Sequence, residues 1–276
     1  MMKKILFRTL IGILCVIWLV ICVFPFLFMV ITTFKTHTEM MSLGVFALPR
    51  TFHFDNYVTL IQSSRFLRYV LNSMTVVPIS LLLILATSSM ASYPLARLKY
   101  RFHGLNYSVI LAGMAIPIHV TLIPVFLMTK RLGLYDSIWA LVGPYVAFNI
   151  PLSVFILTGF MTGIPHDLEE AAEIDGCGRT RTFLSVILPL AIPGMATLSI
   201  YNSVIMWNEF SFALVLTQSE ANRTLPMAMW DYKGRYTSNT PMIMTILTLS
   251  AIPMIVAFFI GQDKLIKGMI AGAVKG

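Results

Sequence analysis

Residues 137–163 read SIWALVGPYVAFNIPLSVFILTGFMTG, an unbroken run without one charged side chain. A hydrocarbon core takes about 20 helical residues to cross, and this run exceeds that length. Its apolar residues are continuous rather than alternating, which excludes a lipid-facing barrel strand and predicts a membrane-spanning helix. Five further uncharged stretches have the same character: Thr9 to Phe34, Tyr69 to Ala96, Leu105 to Thr129, Phe183 to Trp207 and Thr240 to Gly261. The expected fold is therefore all-α, a polytopic membrane protein of six transmembrane helices forming a single domain over residues 1–276.

Composition agrees with that reading. The chain is 57% hydrophobic and only 12% charged, with a mean hydropathy of +0.81, so it lacks the polar shell a soluble domain needs. The net charge of +8 comes from Lys and Arg in short stretches between apolar segments. No aromatic-and-basic run tracks a phosphate backbone, so nucleic-acid binding is set aside. Cys15 and Cys22 lie inside the first span and Cys177 in a polar loop, which offers no disulfide framework. Met1-Met2-Lys3-Lys4 followed by an apolar run resembles a signal peptide, but the run continues to Phe34 without a small-residue cleavage site and is expected to be retained.

Lys and Arg near span ends favour the cytoplasmic side. With both termini inside, the short loop Arg97-Leu98-Lys99-Tyr100-Arg101 is cytoplasmic, and Trp139 and Trp207 are expected at the outer interface. Pro78, Pro94, Pro117, Pro124, Pro144, Pro151, Pro193 and Pro253 fall in or beside the spans, where kinks are tolerated. Two longer outer segments, 35–68 and 208–239, are candidates for contact outside the membrane.

Between the fourth and fifth spans the chain reads Ile164-Pro165-His166-Asp167-Leu168-Glu169-Glu170-Ala171-Ala172-Glu173-Ile174-Asp175-Gly176. An early proline and a first turn rich in acids open a helix. Asp175-Gly176 closes it, because glycine accepts the left-handed conformation of a helix end. A second helical run from Arg179 carries Phe183 and Leu184 and enters the membrane near Val186 to Pro189. Small side chains at Ala171 and Ala172 would let another surface approach the backbone closely, and Glu170 offers a charge at the rim.

Glu170-Ala171-Ala172, then Gly176, then Leu188-Pro189 resembles the EAA loop of ABC-importer permeases, with Val186 where isoleucine is usual. Trp207-Asn208-Glu209-Phe210 and the C-terminal Lys267 to Gly276 resemble the carbohydrate-uptake branch, at the smaller permease of the maltose type. The resemblance implies a sugar importer in which Glu170, Ala171, Ala172, Asp175, Gly176, Leu188 and Pro189 couple to a separate ATPase. It also implies a second, homologous permease subunit and an extracytoplasmic solute-binding protein, met by Trp230 and Tyr232 in the outer loop from Thr217 to Asn239. ATP and magnesium would be bound by the ATPase, with no cofactor in this chain. In keeping with that, the sequence has no Gly-Lys dipeptide and so no phosphate-cradling Walker A loop. No metal-ligand cluster and no nucleophile–base pair is legible, so no enzyme activity and no catalytic residue are expected.

Polar side chains within spans usually face a wet cavity or bond across helices. His119, Asn149, Asn202 and Asn208 are accordingly candidates for the substrate path, and Asn72 shares their character. The choice among sugars and polyols is not legible, and glycerol phosphates remain an alternative solute. A proton- or sodium-driven carrier would carry charges inside its spans, which this chain lacks. Composition alone leaves open a membrane scaffold without transport.

Overall fold

The uncharged stretches fold predominantly as helix, since in lipid each backbone polar group must be satisfied within its own segment. The computed structural model describes residues 2–234 and 238–273, with side chains over 6–234 and 238–262. The helices are α1 Met2–Thr33, α2 His37–Leu43, α3 Asp55–Gln62, α4 Ser64–Arg97, α5 His103–Ala112, α6 Leu122–Arg131 and α7 Trp139–Thr162. They continue with α8 Asp167–Ile174, α9 Arg179–Thr182, α10 Leu188–Leu190, α11 Ile192–Trp207, α12 Ser211–Leu216, α13 Ala228–Asp231 and α14 Thr240–Ala273. Among the described residues extended pairing is limited to an isolated bridge between Lys233 and Ser238.

Among the described residues four continuous helices are long and apolar enough to cross a membrane: Leu6–Thr33, Ser64–Arg97, Trp139–Thr162 and Thr240–Gln262. The remaining two spans are broken rather than kinked, which corrects the expectation of continuous helices over 105–129 and 183–207. His103–Ala115 and Ile118–Arg131 meet at 89°, and Arg179–Leu190 and Ile192–Trp207 at 67°. At the first break Ile116 is extended at φ −80°, ψ 113° because it precedes Pro117, whose ring disfavours the helical conformation of its neighbour. At the second, Ala191 lies between Pro189 and Pro193, and Phe183–Ile187, just before α10, is a π-type helix. Prolines inside α4, α7 and α14 leave those helices continuous. Several hydroxyls within the spans donate to carbonyls one turn back on their own helices, as with Thr87 on Leu83, Thr197 on Pro193 and Thr245 on Pro241.

The chain divides into two compact units. The first comprises residues 1–67 and 228–252. Here the Asn56 amide donates to the carbonyls of Thr33 and Lys35 at 2.8 and 2.9 Å, and the Thr33 and Tyr57 hydroxyls share a hydrogen bond of 2.8 Å. Phe34 packs edge-on against Phe52 and Phe54. Lys35, expected as an outer-side charge, is 1% exposed, and its Nζ donates to the Val45 carbonyl.

The second unit, residues 68–227 and 253–276, holds α5 to α12. Its core runs between α4, α7 and α11: Ser92 Oγ donates to the Val154 carbonyl, and a Cβ added to Gly194 would come within 2.8 Å of the Phe160 ring. Only glycine permits that approach of α11 to α7. Trp207 is 4% exposed, buried by protein and not an interfacial belt residue as expected, whereas Trp139 is half exposed.

Candidate functional site

Two places in the second unit concentrate chemistry, and the first is the polar break after α7. Acids at Asp167, Glu169 and Glu170 sit in the first turn of α8, where they oppose the positive end of the helix dipole. The helix closes as expected at Gly176, whose φ is +79°. The Cys177 N–H donates to the Ala172 carbonyl at 2.9 Å and the Gly176 N–H to the Glu173 carbonyl at 3.0 Å, the paired bonds of a Schellman close.

Consecutive residues on α8 meet opposite fates. Glu170 and Ala171 are exposed, Ala172 is buried, and Ile174 is 86% exposed. Glu169, which the sequence reading did not single out, turns inward: its Oε2 lies 3.6 Å from Nε of Arg97, a side chain only 1% exposed. Arg97 Nη2 also donates to the Ile164 carbonyl at 2.7 Å, tying the end of α4 to the chain entering α8. Behind this pair Met161, Phe183, Ile187 and Ala191 form a core cluster against which Val186 and Leu188 pack. Leu188 is thus partly buried in that cluster, while Pro189, Asp175 and Gly176 are exposed. The arrangement is a rigidly held stub with an apolar tip and a negative rim.

The second place is a cavity of about 180 Å³ lined mainly by residues of α7, α11 and α12. Aromatic faces dominate it, from Tyr145, Phe148, Tyr201 and Phe212, with Asn149 and Glu209 as polar groups. The i, i+4 spacing of Tyr145 and Asn149 puts both on one face of α7. Asn149 is 8% exposed, and its amide donates to the Tyr145 carbonyl at 2.7 Å. Glu209 lies just beyond α11, outside the spanning helices. Its Oε2 accepts from the Tyr145 hydroxyl at 3.0 Å, and its carboxylate accepts the Phe212 and Ala213 N–H groups, capping α12. Burial pushes the Glu209 carboxyl above its ordinary value, although these donors pull the other way.

The other residues expected on a substrate path are scattered. Asn202 is fully buried, donating to Ser153 Oγ at 3.0 Å. Asn208 caps α11, its amide donating to the Val204 carbonyl, and His119 is exposed with Nε2 3.4 Å from Ser211 Oγ. Asn72 holds the carbonyls of Ala221 and Arg223 at 2.8 Å each, fixing the loop after α12 onto α4. Trp230 and Tyr232 belong to the first unit: Trp230 is 46% exposed with Lys233 Nζ 5.4 Å from its ring centroid. Of the expected contact loop, residues 235–237 lie outside the described residues, as do residues 274–276 of the C-terminal stretch.

Asp136 is a further site the sequence did not flag. It adopts φ +56°, and its Oδ1 accepts the Gln218 and Ser219 N–H groups at 2.8 and 2.9 Å and the Ser219 hydroxyl at 3.0 Å. Partial burial opposes the charge, yet these bonds outweigh it and hold the carboxyl below its usual value.

A set of apolar helices, some of them broken, with a clamped polar stub and an aromatic cavity defines a polytopic membrane protein built to work with partners. More particularly, the chain belongs to the inner membrane components of binding-protein-dependent transport systems, a family whose sequence pattern matches residues 84–270. It is 51% identical over 260 residues, 94% of each chain, to a putative ABC transporter permease protein of Caldicellulosiruptor sp.. It is 32% identical to a diacetylchitobiose uptake system permease of Streptomyces coelicolor, over 95% of this chain and 85% of that one. Its fold matches that of a bacterial ABC transporter that imports the polysaccharide alginate, with a TM-score of 0.81 at 21% identity over 95% of this chain and 97% of that one. Membership makes it a membrane-embedded ABC permease, a kind of subunit that is not itself catalytic, and removes the stand-alone carrier and the scaffold.

Proposed function

We propose that this chain is one permease of an ATP-driven, binding-protein-dependent sugar importer, with α8 as the stub that a separate ATPase grips and the aromatic cavity as part of the sugar path. The observation that carries the sugar reading is the cavity lining, aromatic faces beside an amide and a carboxylate. Pyranose rings stack on such faces and hydrogen-bond to such groups. Sugar uptake is also what is named for the Streptomyces relative and for a trehalose/maltose permease of Thermococcus litoralis, 29% identical over the full length of both chains. A carboxylate in the lining disfavours an anionic solute such as a glycerol phosphate, by like-charge repulsion.

Coupling through α8 is supported by its exposed small and acidic residues on a base clamped by Arg97 and Glu169. On this reading the stub and both termini lie on the cytoplasmic side, with ATP and magnesium on the partner ATPase. A second permease would complete the path, since the cavity of about 180 Å³ is too small for a whole oligosaccharide. An outer solute-binding protein would meet Trp230 and Tyr232.

The test is ATP hydrolysis by the transporter reconstituted with its partner permease, ATPase and binding protein, against a panel of mono- to oligosaccharides and glycerol phosphates. A sugar is expected to stimulate hydrolysis, and Tyr201→Ala to reduce that stimulation about tenfold, the loss of one stacking face at about 1.4 kcal/mol. Stimulation by glycerol phosphate alone, or by no sugar, rejects the sugar assignment.

A further inference from the structure

A second, larger cavity of about 760 Å³ lies where three spanning helices finish together: α4 at Arg97, α5 at its start near His103, and α7 at Thr162. Its polar lining is Arg97, Lys99, His103, Thr158, Thr162 and His166, with no acidic side chain among the described lining residues. Its remaining walls are apolar or aromatic, including Leu98 and Tyr107. The ion pair with Glu169 occupies only one edge of the Arg97 guanidinium, and Nη1 has no hydrogen-bond partner although the side chain is 1% exposed. Thr158, 8% exposed, likewise has a hydroxyl without a partner. Orphaned buried donors cost stability unless something accepts from them.

We propose that this cavity binds the phosphate-bearing headgroup of an anionic phospholipid. Basic pockets between helix ends at the membrane surface suit such headgroups, and the volume falls within the range of about 300–1,000 Å³ typical of ligand sites. The mixture of basic and apolar walls distinguishes a lipid from a free anion, which needs only the basic groups. The headgroup phosphate would lie within reach of the Lys99 ammonium and accept from Arg97 Nη1 once the guanidinium turns that buried edge toward the cavity, while the glycerol backbone and first methylenes cover the apolar wall. The proposal concerns a structural lipid and is independent of which solute the transporter carries.

Gly159 lines the same cavity, and a Cβ there would meet nothing within 4 Å, so Gly159→Leu fills the space while removing no hydrogen bond. The experiment is native mass spectrometry of the assembled transporter released from nanodiscs of equal phosphatidylglycerol and phosphatidylcholine. Wild type is expected to retain phosphatidylglycerol preferentially. Retention should fall about tenfold, worth about 1.4 kcal/mol, in Lys99→Gln combined with Thr162→Val and separately in Gly159→Leu. Inorganic phosphate at millimolar concentration should not displace the lipid. Equal retention of the two lipids by wild type, or retention of neither, overturns the proposal without any variant. Undiminished retention in both variants also overturns it, as does displacement by phosphate, which would make this a free-anion site.

Discussion

Glu169 and Glu170 are neighbours with the same side chain and separate work. One turns into the protein against Arg97; the other points out from the stub. Removing one partner of a buried ion pair leaves the other charge without compensation. Glu169→Gln is therefore expected to destabilise the chain by about 2–3 kcal/mol, below the usual cost of breaking a fully buried pair because the contact is loose. Glu170→Gln should stay within about 0.5 kcal/mol of wild type. Thermal unfolding of the purified protein in detergent checks this, and coincident midpoints for the two variants would remove the pair as a structural element. The sequence made the acidic first turn legible but not this division, because the deciding partner is on another helix. Arg97 was visible only as a topology charge. Likewise Lys35 read as an outer-side charge and is buried on a carbonyl.

At the scale of the element, the close of α8 was legible to the residue, since Asp175-Gly176 has one local solution and the chain takes it. Gly176 and Gly178 look alike in sequence but differ in backbone: φ is +79° at the first and −74° at the second, with open space around both. Gly176→Ala should cost about 1 kcal/mol through left-handed strain, and Gly178→Ala close to nothing. In the reconstituted transporter, sugar-stimulated ATP hydrolysis is expected to fall for the first variant only. Equal activity in the two would separate the helix close from coupling. The broken spans were less legible. Pro117 and Pro193 were in plain view, but prolines also sit within the unbroken α4, α7 and α14, so a proline alone does not say whether a helix bends or breaks. The aromatic cavity was hidden for a related reason. Tyr145 and Tyr201 are ordinary residues in apolar runs until α7 and α11 are brought together around Glu209.

For the whole molecule, six apolar segments fixed the all-α class because hydropathy needs no tertiary information, whereas sidedness depends on a slight charge bias. The three cysteines offer a direct reading of it. Cys15 and Cys22 lie on α1, whose residues from Leu6 to Leu27 are all exposed, so in the membrane both thiols face lipid, out of reach of a reagent confined to water. Cys177 lies in the polar break at the end of α8. A membrane-impermeant maleimide should label the protein at Cys177 in inside-out vesicles and leave right-side-out vesicles unlabelled. The reverse pattern would invert the topology and take the stub away from any cytoplasmic ATPase.

The Asp136 clamp has a consequence for the order in which the protein is made. Its acceptor oxygen is synthesised 82 residues before the Gln218 amide that binds it, and α7 to α12 are laid down in between. Until that intervening chain has threaded through the bilayer and returned, the Asp136 carboxylate lacks the Gln218 and Ser219 donors that it holds in the folded chain. Closing this clasp is therefore a late event of biogenesis, and it reports that an even number of crossings has been completed between its two halves.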